Sequence, residues 1–399
     1  MEDRVFRESS PLFASLDFVK SLPAFDSSPF LGDGLSLRAV IELVQARQTN
    51  HQSYWQGMEQ ALEEALTLQD KLPLSSSLFR GLPGIGWAVQ LCPLLLDKTS
   101  SQQFLVELDE ILLDGILETH HPNLDMVNGI AGIMVYAMRR GLSASSSSDL
   151  WSAIELVCSR AVREWLNFSD ASDLESRGTD FQKNLGLAHG IPGLLLMMAN
   201  ASRKGHISRA ATELALDGFD HLWMHAIKGD DDGVLFPSTA GSQRVTRLAW
   251  CYGGLGLADA YRRASLLDSS YGVRFSSLIE GSLNQFKSGK HQITDASLCH
   301  GAAGVHLYFE IFGRCEFLSA QLRNECKKAS VVAGEKLLHF NDGTVEKPSY
   351  LWSHKGKNIK TASLLEGTTG VVLAQNAVAS QSNCYPWAEL LGLHQIDNE

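Results

Sequence analysis

The sequence predicts an all-α fold, an α/α toroid in which inner and outer helices alternate around a closed ring. Three observations predict it. A Gly-x-x-Gly unit followed by an apolar run recurs six times, the segments between these units are amphipathic with a helical period, and the alternation of β-branched residues that marks strands is scarce.

Taken in chain order, residues 1–37 are rich in Ser, Phe and Pro and read as an irregular N-terminal arm, with residues 38–399 forming one toroid domain. Length alone would suggest two or three domains, but helical repeats run longer as a single unit. The glycine units are Gly81-Leu82-Pro83-Gly84, Gly129-Ile130-Ala131-Gly132, Gly190-Ile191-Pro192-Gly193, Gly253-Gly254-Leu255-Gly256, Gly301-Ala302-Ala303-Gly304 and Gly367-Thr368-Thr369-Gly370. Their spacings of 48, 61, 63, 48 and 66 residues each leave room for two helices and two connections. Runs such as Leu194-Leu195-Leu196-Met197-Met198 and Val305-His306-Leu307-Tyr308-Phe309 are apolar around most of a helix, so they belong inside. In 151–166, Trp151, Ile154, Cys158, Ala161 and Trp165 fall on one helical face with Arg160, Arg163 and Glu164 opposite, the pattern of an outer helix. Ser143 to Ser148 reads as a flexible loop and Asp230-Asp231-Asp232-Gly233 as a solvated turn.

One pair of glycines three apart signifies little more than a tight loop. Six in phase define a ring whose inner helices all start at one mouth. The residues just before the first glycines, Arg80, Asn128, His189, Tyr252, His300 and Glu366, are all polar beside strongly apolar runs, as the lining of a shared cavity would be.

With 34 basic and 45 acidic residues the formal charge is −11, which argues against nucleic acid and anionic membrane surfaces as partners. No apolar stretch approaches the ~18 residues of a membrane span. Met1-Glu2-Asp3-Arg4 does not open a signal peptide, so a cytoplasmic location is expected. Seven cysteines, an odd number without CxxC pairing, disfavour a disulfide framework.

Two cysteines stand at equivalent places in consecutive repeats: Cys251 within Arg247-Leu248-Ala249-Trp250-Cys251-Tyr252-Gly253, and Cys299 in Cys299-His300-Gly301. With His300 they offer two thiolates and an imidazole to one zinc ion, and three protein ligands leave the open position of a catalytic site. Two thiolates donate charge, which favours activating a bound thiol over hydrolysis. Ala188-His189-Gly190 supplies a second imidazole, not a ligand, able to move a proton near neutral pH. Asp125 sits in a loop at the same mouth, either as a helix cap or as an acid/base group. Arg247 could stabilise a developing oxyanion or form a surface salt bridge. Trp250 and Tyr252 are expected to shape the pocket, Tyr252 with a hydroxyl able to donate, alongside Asn128, Arg80 and Glu366. Cys92, Cys158, Cys315, Cys326 and Cys384 lie outside the glycine-anchored positions and read as packing residues.

Over about residues 80–375, on Trp250-Cys251-Tyr252-Gly253, Cys299-His300-Gly301 and Ala188-His189-Gly190, the chain resembles the lanthionine synthetase C-like family, specifically its stand-alone class I lanthipeptide cyclases. The resemblance implies zinc on Cys251, Cys299 and His300, with His189, Asp125 and Arg247 managing the proton and the enolate charge. It implies that a cysteine thiol of a dehydrated precursor peptide adds to dehydroalanine or dehydrobutyrine, closing a lanthionine or methyllanthionine ring. A separate dehydratase and an export transporter would be partners, in a complex peripheral to the membrane. The family's barrel has seven inner helices, so a seventh hairpin is expected without its signature, in the C-terminal segment or elsewhere. Three other readings stand beside it. A relative that adds glutathione to dehydroamino acids tends to carry His where this chain has Tyr252. A zinc prenyltransferase usually has an Asp-Cys-His set, and a non-catalytic scaffold would hold zinc or glutathione without turnover.

Overall fold

The computed structural model describes residues 11–69, 75–96, 98–119, 122–141, 145–168, 170–229, 233–354, 356–380 and 385–393. In chain order the helices are α1 (Pro11–Lys20), α2 (Leu35–Thr49), α3 (Gln52–Gln69), α4 (Leu82–Val89), α5 (Pro93–Leu96), α6 (Thr99–Glu118), α7 (Ile130–Arg140), α8 (Ser145–Leu166), α9 (Ala171–Arg177) and α10 (Asp180–Lys183). They continue as α11 (Ile191–Arg203), α12 (Arg209–Trp223), α13 (Gly254–Ser265), α14 (Gly272–Lys287), α15 (Ala302–Arg314), α16 (Ala320–Leu338) and α17 (Thr368–Ser380). Two short antiparallel hairpins, β1 (Ile227–Lys228) with β2 (Val234–Leu235) and β3 (Trp352–His354) with β4 (Lys357–Ile359), decorate the loops. Among the described residues no helix is long and apolar enough to cross a membrane.

The architecture is the expected α/α toroid. Helices α2, α4, α7, α11, α13, α15 and α17 form the inner layer, and α3, α6, α8, α12, α14 and α16 pack outside them. Along α8, Trp151, Ile154, Cys158, Ala161 and Trp165 are all buried, as the outer-helix pattern requires. The doubled glycine has a steric origin. A Cβ on the second glycine, from Gly84 to Gly370, would collide with the carbonyl oxygen six residues earlier in each of the six repeats.

A continuous belt of backbone hydrogen bonds closes the ring at the mouth. Gly32 N–H donates to Phe79 O (2.7 Å), Leu78 N–H to Val127 O (3.0 Å), Met126 N–H to Ala188 O (2.9 Å) and Ala188 N–H to Cys251 O (3.4 Å). Cys251 N–H then donates to Cys299 O (3.4 Å), Cys299 N–H to Leu365 O (2.8 Å) and Leu364 N–H back to Gly32 O (2.8 Å). Seven loops therefore share one closed circuit.

The seventh inner helix is α2, at the N-terminal side and not in the C-terminal segment. Gly34 caps it in the same extended conformation as Gly81 and Gly129, but the second glycine position is Leu37, so only half the signature remains. The N-terminal arm differs from expectation in two ways. Its residues 11–20 form a helix, α1, packed on α17 and α2 in the place of the last outer helix, and the division expected at residue 37 falls inside α2. The serine run also departs: Ser145 onward starts α8, with Ser146 Oγ donating to buried Asp109 (3.0 Å), since serine suits the first turn of a helix. The Asp230–Asp232 turn and Cys384 lie outside the described residues.

Candidate functional site

Each mouth loop is shaped locally by a polar residue six positions before the helix-capping glycine. Its side chain accepts from the N–H two residues on: Ser28 from Phe30 (3.3 Å), Ser75 from Ser77 (3.2 Å), Asn123 from Asp125 (3.0 Å), Asn184 from Gly186 (2.8 Å), Asp295 from Ser297 (2.9 Å) and Thr361 from Ser363 (3.3 Å). In the fourth repeat the position is Arg247, which cannot accept. Gly253 of that repeat also has φ +96°, a conformation the other six capping glycines do not adopt.

The belt brings the two cysteine loops side by side. One ligand atom each from Cys251, Cys299 and His300 lies within 4.8 Å of the others, so the three could hold a metal ion. Two thiols and an imidazole in a buried setting fit a borderline-soft cation. The thiols are unequal. A hydrogen bond from Cys299, then the His300 imidazole and the Arg247 charge, pull the Cys251 pKa down against burial, while the Cys251 thiolate and burial push Cys299 up. Burial works against the charged form of His300, but Asp295 and Cys251 outweigh it and raise its pKa to about 9.

Asp295 is the site residue that the sequence did not single out. Its Oδ2 lies 3.4 Å from His300 Nε2, which leaves Nδ1 for a metal, and also accepts from Ser353 N–H (3.2 Å). Its Oδ1 accepts from the Ser297 N–H (2.9 Å) and hydroxyl (2.7 Å). Burial would raise its pKa, yet His300 and Ser297 hold it below the usual carboxylate value. Its signal was its register: it occupies the turn position that Asn123 and Asn184 hold in their repeats.

His189 and Asp125 meet as the sequence suggested. Asp125 does not cap α7, whose N-cap Gly129 has no side-chain partner; its Oδ1 shapes the turn before it by accepting from Val127 N–H (2.9 Å) and Asn128 N–H (2.5 Å), while Oδ2 faces His189 Nδ1 at 3.5 Å. The hydrogen bond to Asp125 raises the His189 pKa in spite of burial. Against burial, that same contact and the backbone N–H groups lower the Asp125 pKa. The His189 and Tyr252 ring centroids are 6.4 Å apart, and the Tyr252 hydroxyl accepts from Asn184 Nδ2 (2.9 Å). Arg247 is half-buried, near enough to Cys251 to favour its thiolate, and no salt bridge engages it among the described residues.

The remaining expected pocket residues separate. Trp250 is fully buried and gives its indole N–H to Leu391 O (2.9 Å), so it lies beneath the site and does not line an open pocket. Arg80 is exposed and faces Asp33 of the α2 loop at 3.9 Å, on the far side of the ring from the cysteines. Asn128 is exposed beside Asp125, and Glu366 is half-buried where its charge raises the Cys299 pKa. Cys92, Cys158, Cys315 and Cys326 are buried and in no disulfide, and burial drives Cys158 and Cys326 up to about 12, opposite to Cys251.

Comparison with known proteins matches residues 39–390 to the family described as lanthionine synthetase C-like protein. The nisin biosynthesis protein NisC of Lactococcus lactis subsp. lactis is 25% identical over 215 residues, a match that covers 48% of this chain and 50% of that relative. The chain thus spans about half the length of the curated relative it matches. A solved structure named nisin cyclase superposes with a TM-score of 0.64 at 18% identity, covering 96% of this chain and 95% of the other, and shares the fold.

Proposed function

The chain belongs to the lanthionine synthetase C-like family, and from that premise we propose that it is a zinc-dependent lanthipeptide cyclase. It would take a dehydrated precursor peptide from a separate dehydratase, add cysteine thiols to dehydroalanine or dehydrobutyrine, and release thioether rings toward an export transporter. One observation carries the reading: the Cys251–Cys299–His300 donor cluster shares a mouth with the His189–Asp125 pair and a half-buried Arg247 whose charge favours the Cys251 thiolate.

One zinc ion per chain, held by Cys251, Cys299 and His300, would present a substrate thiol as thiolate at neutral pH. The protein's own groups handle the rest. Negative charge develops on the carbonyl oxygen of the dehydro residue as the carbon–sulfur bond forms, and Arg247 stands ready to offset it. The α-carbon then needs a proton. His189, whose pKa Asp125 raises, would hold and deliver it, with Asp125 engaging Nδ1 so that Nε2 is the delivering atom. Tyr252, tied by Asn184, borders the same space.

The test uses a peptide bearing Cys and dehydroalanine with the zinc-loaded protein. Cyclisation leaves the mass unchanged while reactivity toward a thiol-alkylating reagent disappears, and the serine-containing precursor does not react. Addition of water, cleavage, or no acceleration over buffer would refute the proposal.

A further inference from the structure

The segment after α17 is absorbed by none of the chemistry above. Residues 386–391 form a 3-10 turn that ends at Gly392 with φ +78°, and Trp387, Leu390, Leu391 and Leu393 are buried. Side chains of four consecutive inner repeats converge on it. Trp87 Nε1 donates to Glu389 Oε2 (3.3 Å), an Arg139 guanidinium nitrogen to Glu389 Oε1 (2.9 Å), Asn200 Nδ2 to Gly392 O (3.3 Å) and Trp250 Nε1 to Leu391 O (2.9 Å). Met126, which follows Asp125, and Leu196 close over Gly392, where a Cβ would meet both.

The two belt links that hold the Cys251 main chain are 3.4 Å each, one of them on a Cys299 carbonyl that also accepts from the Trp250 N–H at 3.2 Å, whereas the other five run from 2.7 to 3.0 Å. The ring is therefore loosest at a ligand. Directly beside it, the Trp250 indole donates to Leu391 O at an ordinary 2.9 Å.

We infer that the tip Leu391–Gly392 is the floor of the site: through Trp250 it fixes Cys251 against Cys299 and His300, and through Met126 it sets the Asp125 loop. Trp250 is thus a positioning residue for metal binding, an inference that rests on the metal-site reading above.

Two substitutions that each delete one indole N–H from the same segment separate positioning from plain stability. Zinc affinity of the full-length protein is measured by competition with a chromophoric chelator. Trp250→Phe should weaken zinc about fivefold, the worth of one net hydrogen bond, and hasten its release. Trp87→Phe, remote from any ligand, should lower the thermal midpoint while zinc affinity stays within about twofold of wild type, below that same bond's worth. Gly392→Ala, strained at φ +78° and pressed on Leu196, displaces the tip without touching the cysteine loop. It should weaken zinc as well, and it serves if Trp250→Phe does not fold. Unchanged affinity in Trp250→Phe or in Gly392→Ala, or an equal loss in Trp87→Phe, overturns the inference. Wild-type protein that holds no zinc overturns the site reading first, and the floor role with it.

Discussion

Replacing Asp295 by Asn should weaken zinc binding about 10- to 100-fold, the usual effect of removing a carboxylate behind a ligating histidine. The carboxylate is 2% exposed and 3.4 Å from His300 Nε2. At an effective dielectric of about 20, that separation from a full positive charge corresponds to roughly 5 kcal/mol. A metal-bound imidazole carries only part of that charge, and the carboxylate's burial offsets some of the gain, which brings the expected change to about 1.4–2.7 kcal/mol. Asn can keep one oxygen on Ser297 and so preserve the turn, leaving charge and ring orientation as what is lost. Chelator competition at pH 7.5 measures the affinity, and a thermal melt of the metal-free protein controls for folding. Affinity within twofold of wild type, with the melt unchanged, would refute the idea that Asp295 orients and polarises His300.

Zinc binding at pH 7.5 should release about two protons, one from His300, whose pKa is about 9 without metal, and one from Cys299, because Cys251 is already the favoured thiolate; an indicator dye in weak buffer counts them. Ala at Cys251, Cys299 or His300 should abolish stoichiometric zinc, whereas Ala at Cys92, Cys158, Cys315 or Cys326 should not, as read by metal analysis of each variant. His189→Asn should keep zinc and lose cyclisation by about 100- to 10,000-fold, and a metal-free variant would make His189 a ligand. Buried His225, its pKa lowered to about 4 by burial and by His221, binds a proton in the unfolded chain below 6.5 that the fold refuses. Its contribution is intact above pH 6.5 and is lost as pH falls toward 4, about 1.4 kcal/mol by pH 5.5. Urea melts of His225→Leu should show a flatter loss between pH 7.5 and 5.5 than wild type. Arg247→Asn restores the turn residue that the other repeats use, so it should preserve or raise the thermal midpoint while cyclisation falls; unchanged turnover would remove Arg247 from the mechanism.

The ring was legible because its constraint is steric and repeated. The second glycine is needed wherever a carbonyl passes close above the helix, and six such places stand out in the sequence. At α2 the position is Leu37, so the repeat keeps only Gly34 and the turn residue Ser28, too little to register against chance. The α1 helix was hidden for another reason: its partner is α17, at the opposite end of the chain, and a contact of that sequence separation leaves no local period. Trp250 was misplaced because adjacency to Cys251 says nothing about which face a side chain takes.

The fourth repeat breaks the pattern in several ways at once. Arg247 replaces the turn-forming residue, Gly253 is driven to positive φ, and the belt is stretched on both sides of Cys251. A loop selected only for closure would have kept the Asn, Asp, Ser or Thr that its six counterparts carry, because that side chain satisfies an N–H at no cost. Giving up that bond releases a guanidinium toward the thiols and leaves the loop one local restraint short, so another contact has to hold it. The indole of Trp250 on Leu391 does so. Local rules fail here where the chemistry needs them to, and the same failure identifies Arg247 and Trp250 as a pair: one freed to act at the mouth, the other recruited to keep the loop in place.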